Sequence, residues 1–185
     1  MTLDPLRQRF QEAVLPHLDD ALSLARWLTG NVTDAEDVVQ DACIRAFSTI
    51  NSVRDVNSRA WLLTVVRNTA FTWLAKNRPK VLIVTSDEQV FERAGIDMTD
   101  RTDVTTPETN LLQKVDAEML HRAIADLPPA YREVLVLREI EGLNYREISE
   151  IVSIPVGTVM SRLARARGQL IQRVERFSGG KIGAA

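Results

Sequence analysis

Thr158, Ser161, Arg162, Arg165 and Gln169 follow one another at spacings of one, three and four residues near the end of a 185-residue chain. On a helix turning about 100° per residue they gather on one side, roughly opposite Val159, Leu163, Ala166, Leu170 and Val174. The apolar side must be buried, so the other presents hydroxyl, guanidinium and amide groups outward. Those groups match the edges of base pairs in a DNA major groove. Arginine can bond bidentately to guanine, and glutamine can pair with adenine. Thr158, near the helix start, can accompany backbone N–H groups that face phosphate. Arg167 and Arg173 lie off this face and suit phosphate or solvent. An isolated arginine late in a helix does little more than offset the helix dipole. Here the segregated face, the small Gly157 and the preceding turn argue together for DNA binding.

Two helices are needed to position that face. Asn144 and Glu147 form a cap-and-box pair opening a short helix to about Val152. Ser153-Ile154-Pro155 makes the turn, and a longer helix continues to about Phe177, which is a helix-turn-helix arrangement. Upstream, the periodicity predicts a helix over 107–126, broken at Leu127-Pro128-Pro129, and another from Ala130 to Glu141, stopped by Gly142. The N-terminal part reads as three helices. The first spans Asp4 to Leu28 with a kink or break at Pro16 and closes at Gly30-Asn31. The second opens on a capping box at Thr33–Glu36 and carries the stripe Ala35, Val38, Val39, Ala42, Ala46, Phe47 and Ile50. After the polar loop at Asn51–Asn57, Ser58 caps a third helix that stops at Pro79. From about Lys80 to Thr109 the pattern dissolves into a chain rich in Asp, Glu and Thr, and Val81–Val84 is expected as extended chain without a strand partner. The fold class is therefore all-α: two small helical domains, 1–80 and 110–177, joined by an acidic linker at 81–109 and followed by a flexible tail at 178–185.

Composition narrows the possible functions. The net charge of −2 conceals an asymmetry: residues 81–126 hold 4 basic and 10 acidic side chains, residues 127–185 hold 9 and 6. A basic C-terminal part beside an acidic middle points to a polyanion at one end. Cys43 is the single cysteine and lies on an apolar helix face, where it reads as core filler rather than a redox sensor. His17 and His121 are far apart, no glycine-rich phosphate loop is present, and no metal spacing occurs, so neither enzyme chemistry nor a metal or other cofactor is expected. No signal peptide and no membrane-spanning run are found, and a cytoplasmic location follows as the expectation.

"LPPAYREVLVLREIEGLNYREISEIVSIPVGTVMSRLARARGQL" closely resembles the promoter-binding domain of extracytoplasmic-function sigma factors, within the sigma-70 family. "DAEDVVQDACIRAF" and "RAWLLTVVRNTAFTWLAKNRP" resemble the N-terminal domain of the same group, in the expected order. The resemblance implies an alternative sigma factor that binds core RNA polymerase and directs promoter-specific initiation. It implies a contact with the clamp helices of the largest polymerase subunit through Asp37, Gln40, Asp41, Ile44 and Arg45. It implies recognition of the downstream (−10) element by the loop 51–58 and the following helix, with Arg54, Asn57, Ser58, Arg67, Asn68, Phe71, Lys76 and Arg78 offering suitable chemistry for a flipped base and a single strand. Trp61 and Trp73 could stack there as well, although aromatics at helical spacing are more often core. The helix of Thr158, Ser161, Arg162, Arg165 and Gln169 would then read the upstream (−35) element. Inhibition by an anti-sigma protein, often membrane-anchored, is also implied.

Three positions depart from the family pattern: Met160 where a basic residue is usual, Thr72 where Asp is frequent, and Ser153 where Gly is common. They bear on promoter detail rather than on class. The main rival is a two-domain regulator that binds its operator without polymerase, which leaves the Asp37/Asp41 face without a purpose.

Overall fold

The computed structural model describes residues 5–52, 57–83 and 117–177, and every regular element among them is helical. The helices are α1 (Pro5–Val14), α2 (Leu18–Thr29), α3 (Val32–Thr49), α4 (Ser58–Asn77), α5 (Pro79–Ile83), α6 (Ala117–Ala125), α7 (Pro129–Glu139), α8 (Tyr145–Val152) and α9 (Val156–Phe177), with short 3-10 turns at Leu15–His17 and Ile50–Ser52. Of the kink or break expected at Pro16 it is the break that occurs: Pro16 lies in the 3-10 turn that separates α1 from α2. Gly30 then ends α2 at φ +85°, its N–H donating to the Arg26 carbonyl at 2.9 Å. That left-handed conformation costs glycine little.

The helix starts differ from expectation by a residue or two. Asn31 caps α3, with Oδ1 accepting from the Asp34 N–H at 2.8 Å, and the Thr33–Glu36 box is not the cap. Asn31 is the last extended residue, so Thr33 already lies in the first turn. Asn57 caps α4 in place of Ser58, accepting from the Ala60 N–H at 3.2 Å. Pro79 stops α4 and also opens α5, where a first-turn proline forfeits no hydrogen bond. Val81 to Ile83 is therefore helical, not extended. Val84, the start of the helix expected over 107–126 and most of the expected linker fall outside the described residues.

The expected capping box of α8 is present in both halves. Asn144 Oδ1 accepts from the Glu147 N–H, and Glu147 Oε2 accepts from the Asn144 N–H, at 3.0 and 2.9 Å. The turn that follows holds Ser153 at φ 60°. The Ser149 hydroxyl donates to the Ile154 carbonyl and ties the turn back to α8.

Two bundles result. In the first, α2, α3 and α4 pack around Leu24, Leu28, Leu62, Leu63 and Val66. In the second, α6, α7 and α8 surround α9, whose Val159, Leu163, Ala166, Leu170 and Val174 are all buried. The bundles also touch one another, α2 against α7 and α4 against α8, and their buried residues belong to one continuous cluster. Leu163→Ala is expected to lower stability by about 2–5 kcal/mol through the cavity it leaves, and Asn144→Ala by about 1 kcal/mol through the lost cap. Urea unfolding followed by circular dichroism checks both.

Candidate nucleic-acid and polymerase interfaces

The helix that follows the turn buries its apolar side as the spacing requires, but the polar side is less open than expected. Thr158, Ser161, Arg162, Arg165 and Gln169 are each half-buried, and the fully exposed side of α9 is instead marked by Gly157, Ala164, Arg167 and Gly168. For Arg162 the physical reason is charge pairing. Arg162 Nη1 lies 3.7 Å from Oε1 of Glu133 on α7, and Arg162 is only 14% exposed at the side chain. Gln169 Oε1 accepts from Arg173 Nη1 at 3.1 Å, and the Ser161 hydroxyl donates to the Thr158 carbonyl. Arg167 pairs with Glu139 at the surface. The outward face is thus rotated by part of a turn, and Met160 remains half-buried beside it.

On α4, the residues expected to hold a melted strand do not form one free surface. Asn68 and Lys76 are exposed, Ser58 and Phe71 are half-buried, and Arg54 falls outside the described residues. Arg67 stacks on the Phe71 ring, its guanidinium carbon 4.1 Å from the centroid. The same guanidinium donates to both carboxylate oxygens of Glu133, from Nε at 2.7 Å and Nη2 at 3.2 Å. Arg78 is tied into its own bundle: Nη1 donates to the Thr29 carbonyl at 2.9 Å and Nη2 lies 3.4 Å from Asp34. It braces the end of α2 against the start of α3. Trp61 and Trp73 pack against the core, with Arg78 over the Trp73 ring.

Four residues that the sequence reading passed over organise the region between the bundles. Arg132 is buried, and its guanidinium donates to the carbonyls of Trp27 and Leu28 at the end of α2 and of Ala125 and Leu127 at the end of α6. Both helix C-termini present partial negative charge, so one cation serves two dipoles. Burial lowers its pKa to about 10, opposed by Asp126 and reinforced by Arg78, and it remains charged at neutral pH. Arg59 Nε donates to Asp20 at 2.6 Å, and its Nη2 reaches the Glu141 carbonyl and carboxylate at 3.0 and 3.3 Å. Glu133 completes the set, its carboxylate shared between Arg67 and Arg162. Neighbouring opposite charges inside the apolar run Ala130–Leu137 were the signal that could have marked Arg132 and Glu133.

On α3, Asp37, Gln40, Asp41, Ile44 and Arg45 are all exposed, Ile44 by 62%. Beside them runs a shallow groove between α2 and α3, floored by Leu22, Val39 and Cys43 and edged by Asp19, Glu36 and Asp37. An acidic rim around apolar contacts fits a basic, partly apolar partner. Burial raises the Cys43 thiol pKa, in keeping with a packing role. Among the described residues no cluster of His, Cys, Asp or Glu is arranged to hold a metal, and no helix is long and apolar enough to cross a membrane.

Burial raises the pKa of the Glu141 carboxyl, while the Ser23 hydroxyl and Arg59 oppose the shift and Asp20 adds to it. The folded chain therefore holds this proton more tightly than the unfolded chain. Its contribution to stability is complete in acid and is lost as pH rises from the ordinary carboxylate range through the raised value. Glu141→Gln lacks this dependence, so wild type minus variant stability should be largest at low pH and shrink on raising it. Urea titrations across an acid-to-neutral pH series measure the difference, and a constant one contradicts the assignment.

Comparison with known proteins covers both bundles. The family profile described as Sigma-70 region 2 matches residues 13–80, and that described as Sigma-70, region 4 matches residues 117–170. The chain is 33% identical over 156 residues to the ECF RNA polymerase sigma-E factor of Haemophilus influenzae, covering 82% of this chain and 79% of the relative. It is 33% identical over 165 residues to the ECF RNA polymerase sigma factor SigW of Bacillus subtilis, covering 87% and 86%. Among solved structures, the sigma factor RpoE in complex with the anti-sigma factor NepR from Bartonella quintana superposes with a TM-score of 0.65 at 25% identity, covering 90% of this chain and 96% of that one. The chain belongs to the ECF sigma factors of the sigma-70 family.

Proposed function

We propose that the chain is a promoter-specificity subunit that joins core RNA polymerase and directs it to a set of promoters. The observation that carries this reading is the presence, on one chain, of the exposed acidic and apolar face of α3 and a helix-turn-helix with a basic second helix. The first bundle supplies the polymerase contact through Asp37, Gln40, Asp41, Ile44 and Arg45, and the −10 contact through Asn57, Ser58, Arg67, Asn68, Phe71 and Lys76. Arg54 belongs to the same set by sequence, and Arg78 supports it by bracing α2 on α3. The second bundle supplies the −35 contact through Thr158, Ser161, Arg162, Arg165 and Gln169. The segments 1–80 and 110–177 act as the two working domains, with 81–109 as the connection between them.

The mechanism divides one recognition event between two sites. A near-neutral chain has little non-specific attraction for DNA by itself, because affinity for a duplex comes largely from released counterions. Polymerase holds the two bundles at a set separation, so that binding at one element raises the effective concentration at the other. The acidic connection, with Asp97, Asp100 and Asp103, imitates nucleic-acid charge along the path of the transcript. The role is that of a binding subunit rather than an enzyme, and it is exercised in the cytoplasm. The relative from Bartonella quintana is seen bound to an anti-sigma factor. A protein of that class is accordingly the regulatory partner proposed here.

In-vitro transcription with purified core polymerase and a genomic library tests the reading: promoter-specific transcripts should appear only when the chain is added. Arg165→Ala should weaken selection of the upstream element by about 1–3 kcal/mol, roughly tenfold or more in affinity. Asp37→Arg should impair assembly with polymerase, read by gel filtration of the mixture, without changing the circular dichroism spectrum. Equal transcription from both variants and the wild type would contradict these residue roles.

A further inference from the structure

Arg162 and Arg165 are both assigned to the upstream element, yet the fold holds them differently. Gly157, Ala164 and Gly168 mark the exposed side of α9, and a Cβ added at either glycine would meet only open space. Arg165 lies about 60–100° round the helix from these three residues, and Arg162 about 120–160°. Arg162 is 14% exposed at the side chain and turns towards α7, where its Nη1 is 3.7 Å from Oε1 of the wholly buried Glu133. Arg67 of the first bundle shares that carboxylate. Glu133 and Arg162, however, lie on neighbouring helices of one bundle, so their pairing needs nothing from α4.

An arginine on that side of the helix points away from a groove floor that faces Gly157 and Ala164. Its long stem reaches the rim of the groove instead, where the phosphates of the duplex run. Such a side chain has many rotamers, and ordering it at the moment of binding costs affinity. Glu133, fixed in the core by α7, orders it beforehand. A buried carboxylate is expensive to desolvate, and an apolar side chain would pack α7 against α9 at least as well. What the carboxylate adds is direction, because it fixes the plane of a guanidinium through a charged contact.

We propose that Glu133 is a positioning residue for Arg162: it holds that guanidinium on the flank of α9, where it grips a backbone phosphate beside the upstream element, while Arg165 reads the bases. This rests on the reading of α9 as the helix that meets the upstream element, and deepens it. The two arginines then carry different signatures. Losing a phosphate contact weakens all duplexes alike, whereas losing a base contact relaxes the choice at one base pair. The sign of the effect separates positioning from plain attraction. If long-range charge alone counted, removing the negative charge of Glu133 would strengthen binding to DNA. A loss of binding identifies positioning.

The test uses holoenzyme reconstituted from core polymerase and the full chain. Its probes are fluorescein-labelled duplexes carrying the upstream half of the promoter most strongly transcribed from the genomic library, unaltered and with each base pair changed in turn. Anisotropy over a salt series gives the affinities. Arg162→Ala should weaken binding to every duplex about tenfold, as for one charge-assisted hydrogen bond. The slope of log K against log salt should fall by roughly 0.9 for the phosphate contact removed. Glu133→Gln should weaken every duplex about threefold, the cost of ordering one long side chain. Added to Arg162→Ala it should cost nothing more. Glu133→Asp, which keeps the charge but withdraws it by one methylene, should fall between the wild type and the glutamine variant, and serves if the latter does not fold. Binding by the Glu133 variants that equals or exceeds the wild type overturns the proposal. So does a further loss in the double variant, which marks a general structural role, or a loss from Arg162→Ala confined to one base pair. If the wild-type holoenzyme selects its promoter while the variants fail in any of these ways, the positioning role falls and the function stands. If the wild type selects none, both fall.

Discussion

The arrangement of the described residues depends on Arg132, a single cation placed between the C-terminal ends of two helices from different bundles. Four main-chain carbonyls that end α2 and α6 converge on its guanidinium. Helix ends leave such carbonyls without intrahelical partners, and burying them unpaired is costly. One side chain resolves both ends at once, which makes the contact between bundles a requirement of satisfying α2 and not merely an apolar accretion. His121 stacking on Trp27, with centroids 4.4 Å apart, extends the same junction from α6.

Its neighbour Glu133 turns that junction into something more than a scaffold. The two residues follow one another on α7 with opposite charge, and both are buried. Arg132 addresses backbone and Glu133 addresses side chains. The first contact satisfies main-chain carbonyls that would otherwise need water. The second joins one carboxylate to two arginines, Arg67 and Arg162. The seam is apolar as well as charged, since Leu62 and Leu63 on one side and Leu163 and Leu170 on the other belong to one continuous cluster of buried residues.

This also explains why the polar side of α9 differs from a simple wheel projection. A wheel divides residues into buried and exposed and has no place for a side chain that is inward because it is charged. Arg162 is such a case: its angle on the helix points it towards α7, where Glu133 waits. Arg78 stays exposed, yet it too is tied down, by the Thr29 carbonyl at the end of α2. By contrast Asp37, Asp41 and Ile44 meet no partner within the described contacts that would draw them inward, and they lie where the spacing put them.

Sequence alone determined the helical class, the apolar stripe of α9 and that of α3 apart from the exposed Phe47, the capping box of α8 and the turn that precedes α9. Each depends on residues fewer than about ten apart, and backbone geometry over that distance admits few alternatives. Sequence also carried the family, because its two motif blocks lie in order along the chain. Helix starts at Asn31 and Asn57 were missed by a residue or two, since several neighbouring polar side chains could each have capped. Tertiary structure decided the rest. That Arg67 would meet Glu133 across 66 positions, and that Arg132 would close α2 from 104 positions away, follows from the packing of α7 against α2. No local pattern encodes which of many like charges will be neighbours; only the folded arrangement of apolar faces brings them within reach.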